Sequence, residues 1–226
     1  MRIAVLGTGT VGRTMAGALA GLGHEIAVGT RDPQATLART EPDAMGAPPF
    51  GQWLKDHPHV SLVAFADVAA DAELVINATE GAGSVAALSA AGSENLAGKI
   101  LVDIANPLDF SHGMPPTLSP VNTDSLGELI QRTFPEAKVV KTLNTMNANL
   151  MVDPGRAAGG DHSVFVSGND SEAKREVTTL LKSLGHQDVI DLGDITTARG
   201  AEMLLPVWLR LWGALGTANF NFKIAR

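Results

Sequence analysis

The chain has 226 residues, enough to bury a full core as one domain or as one domain with an appendage. Its net charge of −7 argues against a nucleic-acid surface, which needs a basic stripe, and the absence of cysteine excludes disulfides, thiol nucleophiles and cysteine metal sites. No apolar run reaches the roughly 20 residues that span a bilayer, and the chain opens on a strand without a leader-like segment, so a cytoplasmic protein with no membrane or nucleic-acid partner is expected.

Residues 2–6 form an apolar run that reads as a strand. Gly7-Thr8-Gly9-Thr10-Val11-Gly12 follows at once, then a helical pattern to Gly23 and a second strand ending Gly29-Thr30-Arg31. A strand running into G-x-G-x-x-G and a helix is the dinucleotide-binding fingerprint. Gly7 suits the tight strand-to-helix turn, Gly9 the approach of backbone to a diphosphate, and Gly12 the close packing of helix on strand. The diphosphate is expected on the helix N-terminus, where unpaired N–H groups and the helix dipole favour an anion. NAD-binding versions place an acid at the tip of the second strand, but here the tip reads Thr30-Arg31, and Glu25 lies too early. An arginine suits a ribose 2′-phosphate. The reading is therefore NADP(H), with the Thr30 hydroxyl and the Arg31 guanidinium on that phosphate. Asp32 has two open roles: reaching a ribose, or capping the helix that starts at Pro33.

A short helix is expected over 33–39. Residues 41–59 then gather Pro42, Pro48, Pro49 and Pro58 around Phe50, Trp53 and Leu54. Prolines break regular structure, so this reads as an irregular insertion with one helical turn, anchored by Phe50 and Trp53 or serving as a lid. His57 and His59 lack a third ligand, and no metal site is expected. Strands at 61–65 and 74–78 flank a short helix at 67–71. Thr79-Glu80-Gly81 and a helix over 83–91 come next, then a strand at 99–104 that ends in Ala105-Asn106-Pro107. Residues 109–123 read as a long loop, Asp124 heads a capped amphipathic helix to Phe134, and 138–143 is a strand. Repeated βα units imply a parallel sheet covered on both faces, with ligands at the C-terminal ends of the strands. Position alone thus selects Thr79, Glu80, Asn106, Pro107, Asn144, Thr145, Met146 and Asn147. Each also has the ordinary explanation that Asn and Thr form turns.

Residues 151–161 read as a Pro- and Gly-rich loop and 163–167 as a strand. Asn169 or Asp170 caps a helix that buries Val177, Leu180, Leu181 and Leu184 at i, i+3, i+4 and i+7. Gly185 ends it, and 188–192 is another strand, joined to the same sheet or to a small appended lobe. The stretch 197–217 is apolar on most of its circumference and is expected to be a buried helix kinked at Pro206. It suits a homodimer contact or the wall of a flat-ring cleft. The expected fold class is α/β: a Rossmann-type doubly wound parallel sheet over residues 1–150, with a small C-terminal α/β extension over 151–226 packed on the same body.

Taken together, these pieces resemble the NADP oxidoreductases dependent on the deazaflavin coenzyme F-420, and the related reductase domain of the six-transmembrane metalloreductases. The resemblance rests on R-I-A-V-L-G-T-G-T-V-G at 2–12, L-G-H-E-I-A-V-G-T-R at 22–31, V-V-K-T-L-N-T at 139–145, F-V-S-G-N-D at 165–170 and the apolar C-terminal helix. It implies NADP in the first crevice and a hydride passing between nicotinamide and a flat ring stacked nearby. It further implies that Thr8, Thr30 and Arg31 meet the NADP phosphate, that Asn144-Thr145-Met146 lie under the rings, and that Ala148 lets the nicotinamide approach. The family commonly has a histidine where this chain has Asn144, and the insertion at 41–59 is outside its basic pattern.

Hydride transfer between two cofactors depends on ring placement rather than a proton shuttle. His24, His57, His59, His112, His162 and His186 all fall in expected turns or loops without a paired carboxylate, so no catalytic side chain is assigned. The expected function is an NADPH-dependent oxidoreductase acting on a deazaflavin or flavin. The alternatives are an NADP(H) sensor without turnover, and a dehydrogenase of a small carbonyl or imine polarised by Asn106, Asn144 or Asn147.

Overall fold

The computed structural model describes residues 1–42 and 46–226. Of the insertion expected at 41–59, residues 43–45 lie outside the described residues.

Apolar residues alternate along β1 (Arg2–Leu6), and the period of two sends Ile3 and Val5 to one face and Ala4 and Leu6 to the other. After the glycine turn come α1 (Thr10–Gly21), β2 (Glu25–Thr30) and α2 (Pro33–Leu37). Asp32 takes the capping role of its two open ones: its Oδ1 accepts from the Ala35 N–H at 2.9 Å. The insertion carries α3 (Phe50–Lys55), and Phe50 is buried against the core while Trp53 packs beside it. Then follow β3 (Val60–Ala64), α4 (Phe65–Asp71), β4 (Leu74–Asn77), α5 (Gly81–Ala91), α6 (Ser93–Leu96) and β5 (Ile100–Asp103).

The stretch expected as a loop at 109–123 contains a small hairpin, in which β6 (Leu108–Asp109) pairs antiparallel with β7 (Thr117–Leu118). Next come α7 (Leu126–Thr133) and β8 (Lys138–Thr142). The cap of α7 is Ser125 rather than Asp124: the Ser125 Oγ accepts from the Glu128 N–H at 3.1 Å, while Asp124 pairs outward with Arg132. The expected loop at 151–161 is more regular than its prolines and glycines suggest. It begins inside α8 (Ala148–Val152) and continues through one 3-10 turn at Pro154–Arg156 and a tight left-handed turn at Ala158–Gly160. Asn147 caps α8, its Oδ1 accepting from the Leu150 N–H at 3.1 Å.

The chain ends with β9 (Ser163–Ser167), α9 (Ser171–Ser183), β10 (Asp188–Gly193), α10 (Ala198–Met203) and α11 (Leu205–Leu215). One eight-stranded sheet runs β10-β9-β8-β5-β4-β1-β2-β3. It is parallel except where β8 meets β9, so the last strand-helix-strand unit joins the same sheet through an antiparallel pair. One apolar layer holds α1, α8 and α9 on the sheet, and the opposite layer holds α4, α5 and α7. From β1 the chain steps out to β2 and β3, then returns across to β4. The strand order therefore reverses between β1 and β4, which is where such sheets open a crevice.

The C-terminal apolar stretch departs from expectation in two ways. It is two helices rather than one kinked helix, because Pro206 near the start of α11 has no N–H to bond back across Leu204. Of its residues only Leu205 is buried in α11, while Val207, Trp212 and Leu215 are 50%, 38% and 55% exposed. Trp208, Leu209 and Leu211 are half-buried, so one side of α11 rests on the chain while the rest of its apolar circumference faces outward.

Candidate active site

The site is built on the switch point. Gly7 has φ +119°, and a side chain there would meet the Ala78 carbonyl oxygen at 2.6 Å, so the turn passes hard against the end of β4. A Cβ on Gly12 would lie 2.1 Å from the Gly7 carbonyl oxygen, which is what holds α1 close to β1. A Cβ on Gly9 would meet nothing within 4 Å: that face of the turn is open. Gly9 is also the N-cap of α1, and no side chain caps the helix or places an acid in its first turn. By contrast α2, α7, α8 and α9 are capped by Asp32, Ser125, Asn147 and Asp170. The amino end of α1 thus presents unpaired N–H groups and a positive dipole end to an open space, and these features fit a diphosphate.

Clefts open on both sides of this turn. One of about 550 Å³ lies toward the insertion, between Thr8, Gly9, Arg39, Pro48 and Phe50. The other, about 180 Å³, lies between Val11, Thr79, Asn106, Leu108 and Phe110. Arg13 joins the turn to the insertion. Its Nε donates to the Thr8 carbonyl at 2.8 Å, its Nη1 donates to the Pro48 carbonyl, and its guanidinium sits 5.8 Å from the centre of the Phe50 ring.

At the tip of β2 the two chosen side chains differ. Thr30 is buried, and its Oγ1 lies 2.9 Å from the Thr36 Oγ1, which itself donates to the Asp32 carbonyl at 2.8 Å. Each hydroxyl has one proton, so Thr30 gives its own to Thr36 and keeps only an acceptor. Arg31 is exposed and has no hydrogen bond or ion pair among the described residues.

At the ring end the sequence-chosen residues come together, but several are tied inward. The Thr79 hydroxyl donates to the Asn77 Oδ1 at 2.6 Å. Asn106 donates through Nδ2 to the Asn144 carbonyl at 3.1 Å, and its Oδ1 is buried without a protein partner. The backbone of this loop touches α5 closely, since a Cβ on Gly81 would fall 2.0 Å from the Asn106 carbonyl oxygen. The buried Pro107 accepts from the Ser119 N–H at 2.9 Å, fastening the hairpin to the edge of the site. Asn144, Thr145 and Met146 are all buried, and the Asn144 amide donates to the Ala201 carbonyl of α10 at 3.2 Å. Ala148 is half-buried at the start of α8. Asn147 donates to the Ala218 carbonyl, so it binds the chain's last stretch as well as capping α8.

Beneath these loops lies a group of residues that periodicity did not reveal. Lys141 on β8 is 0% exposed, and its ammonium donates to Asp103 Oδ2 at 2.8 Å, Glu202 Oε1 at 2.9 Å and the Ala105 carbonyl at 2.5 Å. All three of its protons are used. Glu202, on α10, also accepts from the Leu126 and Gly127 N–H groups at 2.9 and 3.1 Å, so it holds the amino end of α7. Asp103 Oδ1 accepts from the Asn77 amide at 2.9 Å, and Asn77 also donates to Ser84 at 3.0 Å. Burial by itself pulls the Lys141 ammonium down, but the Asp103 and Glu202 carboxylates outweigh it and hold the pKa above that of an ordinary lysine. The only sequence signal for this group was an ionic residue inside each of two apolar strands, L-V-D and V-V-K.

Comparison with known proteins places these features in context. Residues 2–107 match the family model described as NADP oxidoreductase coenzyme F420-dependent. The crystal structure of a candidate F420-dependent NADP-reductase from Arthrobacter sp. FB24 is 87% identical in sequence, with a TM-score of 0.96 over 99% of both chains. Metalloreductase STEAP3 from Rattus norvegicus is 28% identical over 215 residues, which are 92% of this chain and 38% of that protein. An F420-dependent NADP reductase from Methanocaldococcus jannaschii is 32% identical over 119 residues, 52% of each chain. The chain thus spans about two fifths and about half of these two relatives. Among the described residues no helix is long and apolar enough to cross a membrane.

Proposed function

Because the chain belongs to the family of NADP oxidoreductases dependent on the deazaflavin coenzyme F-420, we propose that it is an NADPH-dependent oxidoreductase that passes hydride between NADP(H) and a deazaflavin acceptor. The observation that carries this reading is the uncapped amino end of α1, set at the switch point with a cleft on either side.

In this reading the N–H groups of Gly9, Thr10, Val11 and Gly12 hold the diphosphate, with Gly7 fixing the turn. Thr8 and Arg31 meet the adenosine phosphate, and Thr30 shapes the strand tip beneath them. Thr79, Asn106, Pro107 and Ala148 wall the nicotinamide end, where the unpartnered Asn106 Oδ1 is ready to accept from a ring amide. Asn144, Thr145 and Met146 form the floor. NADPH supplies the hydride when bound. The chain's own residues supply placement and exclusion of water, and none of them is assigned a proton to carry. The outward apolar face of α11 supports a homodimer that pairs through this helix.

The reading is tested by mixing the protein with NADPH and each acceptor while following absorbance at about 340 nm, the reduced-nicotinamide band. Loss of signal with deazaflavin alone is the expected result. Loss with a flavin, or with small carbonyls or imines, would replace it with a flavin reductase or a dehydrogenase, and a signal that persists with every acceptor would replace it with a sensor. Arg31→Ala should weaken NADPH binding about ten- to a hundredfold and leave NADH binding alone. An unchanged preference would remove Arg31 from the phosphate.

A further inference from the structure

We propose that Arg39 is a second cationic contact for the adenosine phosphate, and that the Pro48-Pro49-Phe50 segment of the insertion is the wall that brings the phosphate to it. This rests on the NADP reading above and adds a residue and a role for the insertion that neither the glycine fingerprint nor the family pattern supplies.

A phosphomonoester carries close to two negative charges near neutral pH. The β2 tip offers less for it than its sequence suggests, because the Thr30 proton is committed to Thr36. Arg31 remains, but it does not line the 550 Å³ cleft beside the glycine turn. Arg39 does. It lies just past α2, exposed, with no hydrogen bond or ion pair among the described residues, and faces the same space as Thr8 and Gly9. Arg13 also lines the cleft, but its Nε and Nη1 are given to the Thr8 and Pro48 carbonyls. Its place in the arrangement is to hold the Pro48-Pro49-Phe50 segment against the phosphate turn, so that the cleft has a far side. Glu41 is the one acid among the described residues that line the cleft.

The ligand class is an adenosine nucleotide with a phosphomonoester on its ribose. The test uses 2′,5′-ADP and 5′-ADP as probes, which need no turnover, alongside NADPH and NADH. Binding is measured by calorimetry for the wild type, Arg39→Ala, and Arg175→Ala as a control for lost surface charge on α9. Arg39→Ala should weaken 2′,5′-ADP and NADPH about tenfold or more, leave 5′-ADP and NADH unchanged, and flatten the dependence of NADPH affinity on salt. Wild-type affinity for 2′,5′-ADP in Arg39→Ala, or an equal loss in Arg175→Ala, would overturn the proposal while leaving the NADP reading intact. A wild-type protein that does not distinguish 2′,5′-ADP from 5′-ADP would instead overturn the NADP reading, and the role of Arg39 with it.

Discussion

The glycine turn and the ring end lie at the same edge of one sheet, yet they are made of different materials. Around residues 7–12 the shape is set by backbone and by missing side chains: Gly7 against the Ala78 carbonyl, Gly12 against the Gly7 carbonyl, and an uncapped helix. Around residues 105 and 144 it is set by side chains, with Lys141 holding Asp103, Glu202 and the Ala105 carbonyl in one buried group. The first region leaves its polar groups open to a ligand. The second satisfies nearly all of its own. The difference teaches that only the turn is free to recognise an anion directly, whereas the ring end, apart from the unpartnered Asn106 Oδ1, responds to a ligand through the positions its network gives to the loops.

The sharpest way to break that contrast is to cut the network. Lys141→Met leaves two carboxylates buried with no cation, and removal of one partner from a buried ion pair costs about 3–5 kcal/mol. Urea unfolding should show a loss of that size, which no substitution at the turn should match. A loss below about 1 kcal/mol would mean that water reaches the group and that the ring end is not held as described.

Two glycines then separate stability from binding within the turn itself. Gly12→Ala places a methyl group 2.1 Å from a backbone oxygen, so the turn must shift, at about 1–3 kcal/mol. Both the melting temperature and NADPH affinity should fall. Gly9→Ala enters open space with φ −74°, which alanine adopts freely. Its stability should change by less than about 1 kcal/mol, while its thermal shift on adding NADPH shrinks or vanishes. A Gly9→Ala variant with the full wild-type thermal shift would put the diphosphate somewhere other than this turn.

The same contrast explains what the sequence allowed one to read. The β1-turn-α1 unit is contiguous, and each glycine has a local steric duty, so a string of residues carried it. The strands followed from apolar runs and the cap of α9 was narrowed to Asn169 or Asp170, of which Asp170 takes it, whereas the capping role of Asn147 was not foreseen. The network could not be read this way: Asp103, Lys141 and Glu202 sit on three elements, and nothing in the periodicity of one says which ion on another it meets. The Thr30–Thr36 bond failed to show for a related reason. A threonine at a strand tip looks available until the neighbouring helix supplies an acceptor. Proline and glycine misled in the other direction at residues 151–161, where Pro154 opens a 3-10 turn and Ala158–Gly160 make a tight left-handed one rather than an open loop. The apolar face of α11 was legible, and because the single chain leaves much of it outward, the homodimer contact and the cleft wall remain the readings for it.

The smallest effect concerns the helix that bridges the two kinds of construction. The amino end of α7 is held twice. Locally, Ser125 accepts from the Glu128 N–H and donates to Glu128 Oε2 at 2.8 Å, and Glu128 is in turn gripped by Arg199. From 75 and 76 residues away, Glu202 takes the Leu126 and Gly127 N–H groups. Asp124, the residue whose position suggested a cap, faces out. The hydrogen bond from Arg132 holds its carboxyl below the usual range against the opposing push from burial, with the Ser125 N–H and Arg199 adding to the effect. A depressed carboxylate contributes stability that is present above its unfolded pKa of about 3.9 and is lost as pH falls through its folded value. Ser125→Ala should therefore cost about 1–2 kcal/mol at any pH near neutral and be insensitive to salt. Asp124→Asn should cost less than about 1 kcal/mol, shrink further in high salt, and vanish in strong acid. Because Glu202 persists in both variants, α7 should stay folded in each, and melting curves at low and high salt will rank them. If Asp124→Asn proved the costlier change, the cap would be outside the network after all, and the helix would owe its place to its own first turn.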